Sequence, residues 1–438
     1  VSKAPAPLAA PPLGFGARAV LGLYGLAWRM ALPMLRRNKR LAVGWDERTL
    51  AAGPPPPADL WLQAASGGEA YLARELLVRL AEANPASPPR TLATTFTSQG
   101  LDVLRAVREE LSGRAEVFAR YVPFDRPGLM DRALGAVRPR AVALLETELW
   151  PGLLAAARKA GTPALVLNAR MTDKSLAGYL RAPGLWRTLA PGRVLAVSDA
   201  DAARFATLFP ASRVSVMPNI KFDRLRFAPP GAPDAQTEAL AALLPPGAPF
   251  VMLGSVRKQE ESQALEMVLG LRQRLPGAVI GLFPRHMERV EAWTTLLSHA
   301  DAPFLRRSAG RPAAAGEVLL WDAFGEMGRA FALADACFLG GSLADLGGQN
   351  FLEPLAHGVV PVIGPSWHNF AWVGEEIFTR GLARRAADWR QALDALCALA
   401  ADPPARAEVV ARAAAYADSR RGGTEAALQA VAECLISR

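Results

Sequence analysis

Cysteine and histidine are scarce in this 438-residue chain, and their spacing excludes whole classes of chemistry. The three cysteines, Cys337, Cys397 and Cys434, form neither a close pair nor a C-x-x-C. The four histidines (His286, His299, His357 and His368) lack H-x-x-x-H and H-E-x-x-H spacing. Neither a disulfide framework nor a zinc site is expected, and a reducing compartment suits the chain. No metal and no cofactor is expected. G-x-x-x-x-G-K-[ST] is absent, as is any G-x-G-x-x-G following a strand, so the chain does not read as a P-loop or nicotinamide enzyme. No G-x-S-x-G nucleophile elbow occurs. Aromatic-basic motifs are missing and the positive charge is dispersed, so nucleic acid is not an expected partner.

Long apolar runs are missing too. Residues 13–35, LGFGARAVLGLYGLAWRMALPML, are interrupted by Arg18 and Arg29, with Pro33 near the end. The ten residues between the arginines fall short of the roughly twenty that a spanning helix needs. No small-residue cleavage site follows, and the basic cluster lies on the wrong side for a signal peptide. An interfacial helix or marginal membrane anchor fits better, with Arg36, Arg37, Lys39 and Arg40 held at an anionic cytoplasmic face. The alternative is an amphipathic helix packed on the protein itself.

What is present describes a globular protein that meets anions. Hydrophobic content is 51% and charged content 21%. A chain this long exceeds one ordinary core, so two domains are expected. The net charge of +9 is compatible with a membrane surface or a phosphorylated substrate. From Leu60 onward, short apolar runs alternate with helical periods. DLWLQAA, RTLATTF, AVALLETE, ALVLNAR and VLAVSD read as buried parallel strands, with helices such as GEAYLARELLVRLAEA and GLDVLRAVREEL between them. After a Pro/Gly/Ala-rich linker at 227–233, the pattern resumes with FVMLGS, AVIGLFPR, VLLWDA, ACFLGGS and VVPVIGP. The expected fold is α/β, with two Rossmann-like doubly wound domains facing a cleft. The expected boundaries are 1–40 (membrane-associated segment), 41–226 and 227–438. Ligands in such sheets bind at the carboxyl ends of the strands.

Several strand ends carry chemistry. In FLGGSLADLGGQNFLEPLAHG, a strand ends at Gly340-Gly341-Ser342, and Gly347-Gly348 leads towards a helix expected near Gln349 or Asn350. Backbone amides at such a turn suit a phosphate. Glu353, in the first turn, is placed to accept hydrogen bonds from a sugar; the plain alternative is that it complements the helix dipole. FPRH ends another strand with Arg285, a residue suited to bidentate phosphate or carboxylate binding. LLETELWPG puts Glu146 and Glu148 at a strand end before Pro151, NARMTDKS brings Asn168, Arg170, Lys174 and Ser175 to the next as an expected anion-holding group, and PNIKFD adds Lys221. In WLQAASGGEAYL, Ser66 and Glu69 form an S-x-x-E capping box. Equally, Gly67 and Gly68 give a ligand access to a general base at Glu69.

Taken in order, GWDERT, WLQAASGGE, YVPFD, ETELWPG, NARMTDKS, PNIKFD, FPRH and GGSLADLGGQNFLEP resemble the Kdo (3-deoxy-D-manno-octulosonic acid) transferases of lipopolysaccharide biosynthesis. The resemblance covers most of the chain after about residue 20. It implies a two-domain GT-B glycosyltransferase at the cytoplasmic face of the inner membrane, taking Kdo from CMP-Kdo to a lipid A precursor with inversion. Glu69 falls on the family's general base, and Glu146 and Lys221 on positions of transition-state support. Donor contacts map to Ser255, to Pro284, Arg285 and His286, and to Phe324, Gly325 and Glu326. They continue at Gly341, Ser342, Gly348, Gln349, Asn350, Phe351, Leu352 and Glu353. The acceptor falls to Ser66, Gly67, Gly68, Glu148 and Arg170.

The chain departs from that pattern at particular places. Gln63 and Gln349 stand where the family has histidine, and Val256 and Arg257 replace the usual pair of an S-T-H-E-type turn. Pro218 stands where glycine is typical, and the lysine of "KS" replaces arginine. These departures leave two rival readings open: a GT-B transferase for another nucleotide sugar, and a catalytically silent lipid A-binding homologue.

Overall fold

The computed structural model describes residues 13–227 and 234–436; the first twelve residues of the expected anchoring segment and most of the expected linker lie outside the described residues. The chain divides into two compact units. One runs to Arg224 and takes back the chain from Arg420, and the other is Leu225–Ser419.

In the first unit, seven strands form one parallel sheet: β1 (Leu60–Gln63), β2 (Thr91–Thr95), β3 (Val117–Tyr121), β4 (Ala141–Leu145), β5 (Ala164–Ala169), β6 (Arg193–Ala196) and β7 (Val214–Val216), ordered β3-β2-β1-β4-β5-β6-β7. β1, β2, β4 and β5 are buried along their whole length, because helices cover both faces. Their side chains sort by the two-residue strand period. Trp61, Val142, Val166 and Val194 enter one core, and Leu60, Leu62, Ala143 and Leu165 the other. Each buried Leu or Val contributes about 1.5–3 kcal/mol, and the two cores are what fix the strand ends in place.

The second unit repeats the plan with β8 (Phe250–Val256), β9 (Val279–Pro284), β10 (Phe304–Arg306), β11 (Val318–Leu320), β12 (Ala336–Leu339), β13 (Pro361–Ile363) and β14 (Arg384–Arg385), ordered β10-β11-β9-β8-β12-β13-β14. All of its pairings are parallel. Two doubly wound sheets were expected, and two are found.

Two features concern the ends of the described chain; the first was not expected, while the second, a helix near the N-terminus, was. The C-terminal helix Gly423–Ile436 belongs with the first unit, not the second. Its Ala427, Leu428, Ala430 and Val431 join the core that holds Leu72 and Leu76. The Asp223 carboxylate accepts hydrogen bonds from Gly422 N–H (2.8 Å) and Thr424 N–H (2.5 Å), which fixes the start of that helix. A Cβ at Gly423 would lie 2.4 Å from the Pro218 carbonyl, so only glycine allows this approach. An amphipathic period shows that a helix has an apolar face, not which core receives it.

The second feature is the N-terminal helix, Phe15–Leu35, which is apolar on two sides. Leu21 is buried, Trp28 packs against Phe124, and Tyr24 donates a hydrogen bond to Asp125 (2.9 Å), tying the helix to the first unit. Phe15, Leu23, Met30 and Met34 remain between 65% and 82% exposed on its outer side. Among the described residues, no helix is long and apolar enough to cross a membrane.

Candidate active site

In the first unit the strand ends bring together three glutamates and two cations. Ser66 caps the helix Gly67–Ala83, its hydroxyl oxygen accepting the Glu69 N–H at 3.3 Å. The Glu69 carboxylate turns back to accept from Ala65 N–H (2.6 Å) and from the Ser66 hydroxyl (3.1 Å). The capping geometry is therefore present, with Ala65 rather than Ser66 supplying the returned N–H. Burial and, after it, the negative charge of Glu146 raise the Glu69 pKa, against the lowering effect of these hydrogen bonds.

Glu146 ends β4 in a left-handed conformation, φ 56°. One of its oxygens accepts from Lys221 Nζ at 2.6 Å, and the other lies 3.7 Å from Arg170 Nη1. Lys221 is held by a short relay. Asn168 Oδ1 accepts from Ile220 N–H and Asn219 Oδ1 from Lys221 N–H, both at 2.9 Å, and this fixes the turn Ile220–Asp223. Asn168 is fully buried, so it positions the lysine and does not join an anion-holding group. Ser175 caps nothing outside its own turn: its N–H bonds Thr172 at the start of the helix Asp173–Tyr179, and Lys174 is exposed beside it.

Glu148 accepts a hydrogen bond from the Trp150 indole N–H, and Trp150 packs against Phe96 at a tilt of 37° with ring centres 5.0 Å apart. Burial first, then the charge of Glu69, push the Glu148 pKa up to about 7. Gln63 is fully buried beneath it, its oxygen accepting from Thr94 Oγ1, which in turn accepts from the Trp61 indole. Of the two glycines before Glu69, Gly68 is the more open; a Cβ on Gly67 would lie 2.9 Å from the end of the Gln99 side chain, which would have to move aside for it.

The second unit distributes its charge differently. Ser255 sits at a bulge where β8 gains a residue over β9, with φ 56°, and its hydroxyl faces Met327 Sδ at 3.6 Å. Pro284 is buried at the end of β9. Arg285 N–H bonds the Val256 carbonyl (2.9 Å), while its guanidinium is exposed and has no partner among the described residues. His286 is exposed beside it. Phe324 is 78% exposed, and Gly325 adopts φ 80°. Glu326 is not free for a ligand, because its oxygens accept from Arg307 Nε (2.7 Å), Arg307 Nη2 (2.8 Å) and the Trp321 indole (2.8 Å).

The first glycine pair is also committed. Glu260, fully buried, accepts from Gly341, Ser342, Leu343 and Ala344 N–H and from Arg257 N–H. The amides of Gly341 and Ser342 that the sequence offered to a phosphate are thus taken by a carboxylate of the protein itself. Ser342 is fully buried as well, its hydroxyl accepting from Gly364 N–H. Gly348 N–H bonds the Gly341 carbonyl at 2.7 Å. The helix expected at Gln349 or Asn350 begins only at Glu353 and is four residues long. Phe351 and Leu352 are buried, with Phe351 packed among Trp367, Phe370 and Phe378. What stays available is the exposed Asn350 and the half-buried carboxylate of Glu353. Burial raises the Glu353 pKa, and that carboxylate has no hydrogen-bond partner among the described residues.

Sequence reasoning missed Glu260 and Arg257. The signal was available: Arg257 and Glu260 stand three apart at the end of a strand, the spacing at which an acid returns to the cap's N–H. No cluster of histidine, cysteine and acids among the described residues has the arrangement to hold a metal.

Comparison with known proteins now adds to this geometry. A family profile described as 3-Deoxy-D-manno-octulosonic-acid transferase (kdotransferase) matches residues 42–224. The chain is 35% identical to the 3-deoxy-D-manno-octulosonic acid transferase of Bordetella pertussis over 436 residues, covering 95% of this chain and 98% of that one. The Haemophilus influenzae protein of the same name is 29% identical over 331 residues, 73% of each chain. Among solved structures, a glycosyltransferase from Rickettsia africae ESF-5 superposes with a TM-score of 0.57 at 10% identity, covering 86% of this chain and 98% of that one. UDP-GlcNAc 2-epimerase from Neisseria meningitidis, bound to UDP-GlcNAc, gives a TM-score of 0.54 at 11% identity, with 86% and 100% covered. These last two likenesses speak to fold alone. Identity sustained over nearly the full length of both proteins decides the family: the chain belongs to the 3-deoxy-D-manno-octulosonic acid (Kdo) transferases, glycosyltransferases of the GT-B fold.

Proposed function

We propose that the chain transfers Kdo from CMP-Kdo to a lipid A precursor in lipopolysaccharide biosynthesis, inverting the anomeric centre, with Glu69 as the general base. The observation that carries this reading is the Glu69 carboxylate, desolvated at the start of a helix beside the Glu146–Lys221 pair. An acceptor hydroxyl is a poor nucleophile until a positioned base takes its proton. Raising the pKa of Glu69 brings it closer to neutrality and makes it a stronger proton acceptor. As the proton moves to Glu69, the acceptor oxygen forms its bond to the anomeric carbon. The bond from that carbon to the CMP phosphate breaks, and its electron pair leaves with the phosphate. That charge is met by cations and N–H groups, for which the exposed Arg285 guanidinium is suited. Glu353, without a hydrogen-bond partner among the described residues, is suited to the hydroxyls of the nucleotide sugar. Lys221 and Glu146 support the transition state, while Ser66, Gly68, Glu148 and Arg170 border the acceptor.

In this reading the outer stripe of the helix Phe15–Leu35 lies in the anionic cytoplasmic face of the inner membrane. The exposed Arg36, Arg37, Lys39 and Arg40 sit among the headgroups. The test is a donor screen with the full chain and a tetraacylated lipid A precursor. Product from in-situ generated CMP-Kdo and none from UDP-sugars is expected. A preference for a UDP-sugar would contradict the donor assignment, and no product from any donor would favour the silent homologue.

A further inference from the structure

Arg257 and Gln349, at two of the positions where the chain departs from the pattern it otherwise resembles, touch each other. With the Gln349 amide oriented to its donors, its oxygen accepts from Arg257 Nε and Nη2, each at 3.0 Å. Arg257 follows β8 immediately and Gln349 closes the second glycine pair after β12, the strand next to β8. Both side chains are half-buried.

The partner is what makes this pair informative. A guanidinium is always charged, and the part of it taken out of water calls for an acceptor. Among the described residues no acid forms an ion pair with the Arg257 guanidinium. The nearby carboxylate, Glu260, has its oxygens occupied by five backbone N–H groups. Gln349 fixes the orientation of Arg257 through one edge and leaves its charge intact, with no acceptor on Nη1 among the described residues. On the adjoining strand end, Arg285 N–H bonds the carbonyl of Val256, so a second unpaired guanidinium rises from the next strand.

We infer that Arg257, held in place by Gln349, binds an anionic oxygen of the sugar-nucleotide donor and so helps to set donor specificity. This rests on the donor-binding role proposed above for the second unit. Two oxygens on such a donor fit: the phosphate of the leaving nucleotide, and the carboxylate that makes Kdo an acid. Gln349 is then a positioning residue and Arg257 a ligand contact.

Gln349→Glu separates this from a purely structural bridge, since a carboxylate at 349 keeps the contact with Arg257 and strengthens it while cancelling the charge. Wild type, Gln349→Glu and Arg257→Ala are compared by KM for CMP-Kdo, by calorimetric affinity for CMP, and by thermal midpoint. Both variants are expected to raise the donor KM by about tenfold or more, with Gln349→Glu at least as heat-stable as wild type. If the phosphate is the oxygen held, CMP affinity falls in parallel. If the sugar carboxylate is held, CMP affinity stays at the wild-type level. An unchanged donor KM in both variants would overturn the inference and leave the pair as a loop clasp. Failure of wild type to bind CMP at all would instead remove the donor reading, and this assignment with it.

Discussion

The two units share a sheet plan and spend their carboxylates in opposite ways. In the first, Glu69, Glu146 and Glu148 crowd the strand ends, and burial with mutual repulsion raises two of them, Glu148 to about 7. In the second, Glu260 and Glu326 are consumed by internal hydrogen bonds, while among the described residues no acid pairs with the guanidinium of Arg257 or Arg285. Each sheet also carries a left-handed residue where a strand gains one position over its neighbour, Asn168 (φ 54°) and Ser255 (φ 56°). The shared bulge re-aims the chain at the strand end. The side chains that follow differ, clustered carboxylates in the first unit and guanidiniums in the second. In the function proposed above, the first takes the proton and the second holds the anion.

The contrast breaks most readily at Glu260. Glu260→Ala strands five N–H groups in a buried loop, so the second unit is expected to lose about 3 kcal/mol or more of stability. Urea unfolding followed by a probe in each unit checks this, with the first unit's transition unmoved. By contrast, Glu69→Ala costs stability only about 1 kcal/mol, the worth of one capping interaction, because Ser66 still caps the helix. A large stability loss at Glu69 and none at Glu260 would invert the comparison.

A finer test uses pH. The base acts only when deprotonated, so activity falls as pH drops through the raised pKa of Glu69. Glu146→Gln removes a negative charge that raises that pKa and releases the Lys221 cation beside it. Both changes favour the Glu69 carboxylate. The acid limb of the kcat profile is therefore expected to move to lower pH, and a shift to higher pH would contradict the assignment.

Much of this was legible in the residues. Every strand expected from an apolar run is present, and the four that were missed, β3, β7, β10 and β14, are the outer strands of the two sheets. Edge strands need no continuous apolar run, and VFARY and the two-residue RR show none. Glu146 and Glu148 stood out because they directly follow an apolar run, and Glu69 because of its S-x-x-E spacing; the structure shows them near one another. The second unit misled because free amides and amides already satisfied by Glu260 look alike in sequence. Only the fold shows that Glu260 reaches 81 residues ahead to Gly341. The return of the helix Gly423–Ile436 was hidden for the same reason, since its receiving core is chosen by distant residues such as Asp223.

The most direct test of the central claim compares wild type, Glu69→Ala and Ser66→Ala in transfer from CMP-Kdo to a tetraacylated lipid A precursor. If Glu69 is the base, Glu69→Ala loses on the order of a hundredfold or more in kcat, while Ser66→Ala, which removes the helix cap and one hydrogen bond to the carboxylate but leaves the base in place, loses far less. Equal activity in wild type and Glu69→Ala would contradict the account and leave Glu69 as the cap of its helix.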